Sequence, residues 1–187
     1  MIVEQTPLDG VLLITPDRYG DDRGFFAETY NVKALLAHGI TRQFVQDNHS
    51  MSMQANTVRG LHFQAPPHAQ AKLVRCGRGA LFDVAVDIRS GSPTYGKWWG
   101  AELSFDNGCQ MFIPEGFAHG FATRCAETEI VYKCSQYYAP QAEASLRFDD
   151  RDLAIDWRIE GTPILSERDR NAMVFSGWKS PFTYGDA

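Results

Sequence analysis

The sequence lacks four features, and each absence removes a class of function. No apolar run approaches the roughly 18 residues needed to span a bilayer, and no basic start leads into a signal-like apolar stretch. The expectation is a soluble, cytoplasmic protein with no membrane partner. The four cysteines, Cys76, Cys109, Cys125 and Cys134, are scattered, with no Cys-x-x-Cys pair and no zinc-like spacing. They read as reduced core residues rather than a disulfide frame or a metal site. No long basic stretch or basic helical stripe is present and the net charge is −5, which argues against a nucleic-acid surface. An anionic small molecule stays open, because global charge is screened beyond about 8 Å and a few local cations can dominate a pocket. Internal repeats, low-complexity stretches and shifts in composition are also missing, so residues 1–187 read as one domain with one sizeable core.

The chain does contain many short runs rich in Val, Ile, Phe and Tyr, punctuated by Gly, Pro, Asn and Asp. Strands are expected at Val11–Thr15, Gly24–Tyr30, Gln43–Asp47, Thr57–Gln64, Ala71–Cys76, Gly79–Ile88, Lys97–Ser104, Gln110–Ile113, Gly116–Thr123, Thr128–Tyr138 and Ser145–Phe148. This is an all-β sandwich or barrel pattern. One early helix is expected, capped by Asn31, with Val32, Leu35 and Leu36 on its apolar side and Gly39 at its end. Near the C-terminus, Ser166-Glu167-Arg168-Asp169 has the form of a capping box with Asp in place of Glu.

Two segments carry the chemistry: Val58-Arg59-Gly60-Leu61-His62-Phe63-Gln64, followed by Lys72, and Ile113-Pro114-Glu115-Gly116-Phe117-Ala118-His119-Gly120-Phe121. Each sets a histidine in a short apolar run, where an imidazole is costly unless it is used or satisfied. In a regular strand His62 shares a face with Gly60 and Gln64, while Arg59, Leu61 and Phe63 point the other way. After the Ala65–Gln70 loop, Gln70, Lys72 and Val74 share a face, which brings Lys72 near His62. Along Thr128–Tyr138 the even positions Ile130, Tyr132, Cys134 and Tyr138 align, so two phenols stand on one wall. A histidine, with an ordinary pKa of about 6.5, suits removal of a proton from a carbon acid. Lys72 is suited to the enolate oxygen that follows, and Tyr132 to returning a proton from the opposite side. Read alone, His62 better suits a core histidine bonded to a carbonyl, and the tyrosines better suit sheet packing. Asp169 equally suits capping its own helix, Asp83 is a second carboxylate within reach of His62, and His119 equally suits holding the loop after Pro114.

Six motifs, DDRGFFAE (Asp21–Glu28), QDNHS (Gln46–Ser50), VRGLHFQ, PPHAQAKLVR (Pro66–Arg75), DVAVDIRSGSPTYGKW (Asp83–Trp98) and IPEGFAHGF, resemble the dTDP-4-dehydrorhamnose 3,5-epimerase family, in the same order from about Asp21 to Arg170. The resemblance implies an all-β jelly roll of the cupin class with a few short peripheral helices. It implies a cofactor-free, metal-independent isomerase that inverts C3 and C5 of dTDP-4-dehydro-6-deoxy-D-glucose in deoxysugar biosynthesis. It also implies a homodimer whose N-terminal segment reaches the neighbouring site. Residue by residue it implies His62 as base, Asp169 as its orienting partner, Tyr132 as acid and Lys72 beside the enolate oxygen. Arg23, Glu28, Gln46, Asn48, Arg59, His119, Glu143 and Arg168 match substrate-binding positions, and Tyr138 matches an aromatic that stacks on thymine. Arginines at 23 and 59 suit a diphosphate, since the guanidinium fork donates to two oxygens at once. At Arg168 the family commonly has lysine.

Three alternatives are set against this reading: an epimerase inverting C3 only, a non-catalytic sugar-nucleotide binding module, and a metal-dependent cupin. The binding module leaves His62, Lys72 and Tyr132 together without a use. For the metal cupin, Pro114-x-Gly116-x-x-His119 resembles one ligand-supplying motif, but the expected His-x-His is here His62-Phe63-Gln64. That leaves a poor ligand set for a two-histidine, one-carboxylate metal.

Overall fold

A computed structural model describes residues 1–185. The strands are β1 (Ile2–Gln5), β2 (Leu12–Thr15), β3 (Arg18–Asp21), β4 (Gly24–Ala27), β5 (Gln46–Ser52), β6 (Val58–Gln64), β7 (Lys72–Arg78), β8 (Ala80–Asp87), β9 (Arg89–Ser90), β10 (Trp98–Ser104), β11 (Gln110–Ile113), β12 (Phe117–Thr123), β13 (Thr128–Cys134), β14 (Glu143–Ser145) and β15 (Phe182–Thr183). Two short helices, α1 (Val32–Leu36) and α2 (Glu167–Arg170), accompany them. A six-stranded sheet in the order β1-β2-β11-β7-β13-β5 stacks on a five-stranded sheet in the order β10-β8-β12-β6-β14. Their pairings are antiparallel. This is the expected jelly-roll architecture, with most strand ends displaced by a few residues where turns take over; the short β1, β3, β9 and β15 fall outside the expected runs.

Strand alternation sorts the side chains into an interior and two outer faces. The interior cluster draws on both sheets, with Val74 and Ile130 from one and Leu81, Ala85, Phe117 and Phe121 from the other. Phe82, Val84 and Val86 of β8 turn outward and are roofed by Leu146, Leu153, Trp157 and Phe182 from the C-terminal segment. On the other outer face Leu12, Leu73 and Phe112 are covered by Leu35 of α1 and Ile40. The α1 cap forms as its sequence dictates: Asn31 Oδ1 accepts from the backbone N–H of Lys33 at 3.0 Å and of Ala34 at 3.3 Å. The strands therefore deliver alternate side chains to an interior that is apolar at its centre and polar toward β5, β6 and β14, the side on which the two sheets end.

One strand departs from the expected alternation. In the pairing of β12 with β6, His119 opposes His62 and Phe121 opposes Arg59, so three steps on β6 match two on β12. The extra residue is a β-bulge, which changes the parity of everything beyond it. Val58, Leu61 and Phe63 consequently share the outer cluster, and Arg59 turns to the His62 side instead of pointing away from it. The Arg59 guanidinium bridges to the facing sheet, with Nε donating to Ser52 Oγ at 3.2 Å and Nη2 to the Met51 carbonyl at 3.2 Å. Gly60 makes the bulge sterically feasible. Its φ is +134°, and a Cβ there would lie 2.5 Å from Gly120 Cα and 2.9 Å from the His119 carbonyl oxygen, a position closed to any side chain.

The cysteine expectation needs correction as well. All four thiols are free, but only Cys76 and Cys134 are buried; Cys109 is half-buried and Cys125 is exposed. Cys125 sits in the tight turn entering β13, where Thr128 Oγ1 bonds its carbonyl at 2.9 Å, and a turn tip offers no core to enter. No helix among the described residues is long and apolar enough to cross a membrane.

Candidate active site

The five-stranded sheet presents His62 to the interior, and α2 returns from far along the chain to meet it. His62 Nε2 lies 2.5 Å from Asp169 Oδ1. The second carboxylate oxygen, Oδ2, accepts from Ser166 Oγ at 2.8 Å, while the Asp169 backbone N–H donates to the same hydroxyl at 3.1 Å. The capping role and the orienting role of Asp169 are thus filled at once. Burial pushes the Asp169 carboxyl up, but the His62 hydrogen bond and charge, Ser166 and Arg168 outweigh it and hold the group below the ordinary aspartate value. A carboxylate only accepts, so Nε2 of His62 carries the hydrogen and Nδ1 is left as the basic nitrogen. The imidazole is 29% exposed, against 3% for its partner.

The facing wall comes from the six-stranded sheet. Tyr132 and Cys134 of β13 lie in register with Asn48 and Gln46 of β5 on one side and with Val74 and Lys72 of β7 on the other. Opposed residues share a face, so Gln46, Asn48, Lys72 and Tyr132 point together toward His62 and line one cavity with Tyr138 and Glu143. Lys72 Nζ stands 5.9 Å from the centre of the Tyr132 ring. Burial lowers the Lys72 ammonium from its ordinary value, and nearby Cys134, Asp83 and Glu143 oppose that. Burial raises the Tyr132 phenol, so it keeps its proton at neutral pH. The cavity's volume is about 90 Å³.

At the rim Glu143 ties three elements together. Tyr138 Oη donates to Glu143 Oε2 at 2.6 Å, and Arg168 Nη1 reaches the same oxygen at 2.6 Å. Arg168 also donates to Ser145 Oγ from Nε at 3.2 Å and from Nη2 at 3.1 Å. Tyr138 lies past the end of β13, off the regular face expected for it, but its backbone N–H donates to Gln46 Oε1 at 2.9 Å and holds it on the same wall. The ring is 53% exposed, a flat apolar surface available for stacking.

An imidazole with a buried carboxylate behind it thus faces a protonated phenol and an enclosed lysine amine on the opposite sheet. Residues 5–177 match the family model described as dTDP-4-dehydrorhamnose 3,5-epimerase. The chain belongs to that family. It is 50% identical over 169 residues to the dTDP-4-dehydrorhamnose 3,5-epimerase of Sinorhizobium fredii, covering 90% of this chain and 87% of the relative. The crystal structure of the Bacillus anthracis dTDP-4-dehydrorhamnose 3,5-epimerase with TDP and PPi bound superposes with a TM-score of 0.90 at 46% identity, covering 92% of this chain and 98% of that one. The Legionella pneumophila dTDP-6-deoxy-D-glucose-3,5-epimerase in complex with dTDP-4-keto-L-rhamnose gives 0.89 at 46% identity, covering 92% of both chains.

Not every position named for the family enters the cavity. Arg23 and Glu28 lie at the β3–β4 hairpin, a separate two-stranded sheet. Arg23 is 89% exposed and pairs with Asp21 at 2.5 Å, and Glu28 accepts from Asn31 Nδ2 at 2.9 Å. Asp83, the alternative partner for His62, bonds His119 instead, with 2.7 Å between Oδ1 and Nε2. His119 is correspondingly buried, with 8% of its side chain exposed. Sequence reasoning missed Gln64, whose parity with His62 was its only signal. Its Nε2 donates to the His68 and Tyr137 carbonyls at 2.7 and 3.2 Å, and its Oε1 accepts from the Ala139 N–H at 2.8 Å. The amide is thereby committed to holding the loops that carry Tyr138. A larger cavity of about 810 Å³ opens beside Arg42, Pro66, Pro67 and Pro181, but it contains none of the residues named above for catalysis or binding. Volume is a poor guide here; convergent polar groups are the better one.

Proposed function

We propose that this chain is a dTDP-4-dehydrorhamnose 3,5-epimerase that converts dTDP-4-dehydro-6-deoxy-D-glucose to dTDP-4-dehydro-L-rhamnose by acid–base chemistry of its own side chains. The observation that carries this reading is the His62–Asp169 pair at 2.5 Å, facing Tyr132 and Lys72 across one cavity. Both reacting carbons flank the C4 ketone, so the same carbonyl acidifies both C–H bonds. His62 Nδ1 takes the proton from one of these carbons and the bonding pair moves into the ketone, giving an enolate whose oxygen Lys72 stabilises. The Tyr132 phenol delivers its proton to the same carbon from the opposite face, and the electron pair returns to re-form C–H and C=O. Exchange of both side chains with solvent restores their protonation states. Asp169 stabilises the imidazolium that exists between the two steps.

For the nucleotide, the exposed Tyr138 ring suits thymine stacking, and the Arg59 fork suits the diphosphate. Gln46, Asn48, His119, Glu143 and Arg168 complete the substrate contacts in this reading. Arg23 and Glu28 serve a second copy of the chain. The β3–β4 hairpin projects Tyr19, Phe25 and Phe26 at 65%, 46% and 69% exposure, an apolar surface of the kind that a partner covers. A homodimer with exchanged hairpins brings these residues to the neighbouring cavity. Free thiols on the surface fit a reducing, cytoplasmic setting.

The test is incubation with dTDP-4-dehydro-6-deoxy-D-glucose in deuterated water, followed by NMR. Deuterium at both C3 and C5 is expected. Label confined to C3 assigns a 3-epimerase instead, and no label at either carbon removes both readings. Turnover is expected to survive chelators; a stoichiometric metal whose removal abolishes activity would overturn the acid–base scheme.

A further inference from the structure

Beside the cavity lies a carboxylate that the scheme above leaves unused. Asp83 sits on the inner face of β8 between Leu81 and Ala85 and has no solvent exposure. Its Oδ1 binds His119 Nε2 at 2.7 Å, and its Oδ2 is a fully buried oxygen with no hydrogen-bond partner among the described residues. An unmet buried carboxylate oxygen is costly, and a fold retains one where something else compensates. The neighbouring acids are already drawn to other partners. Both oxygens of Asp169 are engaged, and Glu143 is held by Arg168 and Tyr138. The nearby amine is Lys72, whose Nζ makes no hydrogen bond to a described residue.

Resting on the epimerase reading, we propose that Asp83 is a positioning residue for the reaction: Oδ1 fixes His119, and the free Oδ2 supplies the countercharge that keeps Lys72 an ammonium beside the substrate ketone. The groups facing Lys72 come from every surrounding strand: His62 on β6, Asp83 on β8, His119 on β12, Tyr132 and Cys134 on β13, and Glu143 on β14. Burial raises the Cys134 thiol and the Tyr132 phenol and lowers the His119 imidazole, so these three are neutral at pH 7. Asp83 and Glu143 are left as the acids opposing the desolvation of Lys72, and Glu143 is already shared with Arg168. Removing the Asp83 charge therefore lets the ammonium lose its proton at lower pH, and an uncharged amine stabilises an enolate poorly.

The experiment compares pH profiles of kcat and KM for the wild type, Asp83→Asn and Asp83→Glu. Asparagine keeps an oxygen for the His119 N–H and removes the charge. The alkaline limb of kcat is expected about one unit lower or more in the asparagine variant, with KM little changed, and the glutamate variant is expected to move back toward the wild type. A loss of kcat that is equal at every pH, or an unmoved limb, overturns the assignment. Should Asp83→Asn fail to fold, Lys72 is read in the wild type by NMR titration of ε-carbon-labelled lysine. The chain has five lysines, and the Lys72 signal is identified by its loss in Lys72→Met. An ammonium that persists at neutral pH is expected, and a neutral amine there overturns the proposal. A wild type that fails to epimerise defeats the functional reading and leaves this titration interpretable on its own.

Discussion

Two histidine–aspartate pairs stand side by side on β6 and β12, with His62 and His119 in direct register. Each is joined through Nε2 to Oδ1 of its acid, at 2.5 and 2.7 Å. The differences lie in surroundings and origin. His62 keeps nearly a third of its side chain open to the cavity, while His119 is almost enclosed. Asp169 arrives on a short helix 107 residues downstream of its histidine, whereas Asp83 is on β8, the strand adjacent to β12. The same two side chains therefore leave an accessible imidazole in one place and an enclosed one in the other. Solvent access decides which, and it follows place in the sheet rather than residue type: β6 lies next to the edge strand β14, and β12 lies between β8 and β6.

The largest difference between the pairs is expected in their alanine variants. His62→Ala should lower turnover by about a thousandfold or more, since it removes the base outright, and deuterium incorporation should vanish while circular dichroism stays native. Unchanged turnover would take His62 out of the base role. His119→Ala should, beyond any lost substrate contact, cost stability, about 2 kcal/mol, because it leaves the buried Asp83 carboxylate without its hydrogen-bond donor. Urea unfolding measures this, and a midpoint equal to the wild type's would show that the Asp83–His119 contact is not maintained in solution.

The two pairs also explain how much of the site could be read from the sequence. Most of the strands, the α1 cap at Asn31 and the Ser166 capping box are local and were legible, because period-two alternation and cap chemistry lie within a few residues; the short β1, β3, β9 and β15 carried too little alternation to show. Which aspartate serves which histidine was not legible. Asp83 and Asp169 are both plausible partners until sheet order seats β8 beside β12 and brings α2 back over β6. Arg59 was misplaced for a related reason. A single extra residue inverts the alternation, and a glycine in a strand signals a bulge without saying which side gains the residue. The family resemblance supplied the roles that parity could not. It named Arg23 and Glu28 as binding positions, although neither lines the cavity of its own chain.

A smaller effect follows from the depressed Asp169 carboxyl. Its folded value lies below its unfolded value, so the stability it contributes is complete above the unfolded value, about pH 4, and is lost as pH falls through the folded value. Asp169→Asn should therefore be less stable than the wild type at neutral pH, and the gap between their urea midpoints should narrow on acidification. A constant gap would mean that the ionised form of Asp169 is not favoured in the fold.

The smallest change is expected at Arg168, the position at which the family resemblance leads one to expect lysine. A lysine retains the charge opposite Glu143 but loses the forked pair of hydrogen bonds to Ser145 Oγ. Arg168 is 45% exposed in this contact and Glu143 18%, and a partly exposed ion pair is worth about 1 kcal/mol. Arg168→Lys should therefore raise KM by no more than about fivefold and leave kcat unchanged, since the guanidinium holds Glu143 and Tyr138 in place and touches neither reacting carbon. A fall in kcat with KM unmoved would relocate Arg168 from the nucleotide rim to the His62–Asp169 pair, where the charge neighbouring Asp169 in sequence would then be setting the basicity of the imidazole.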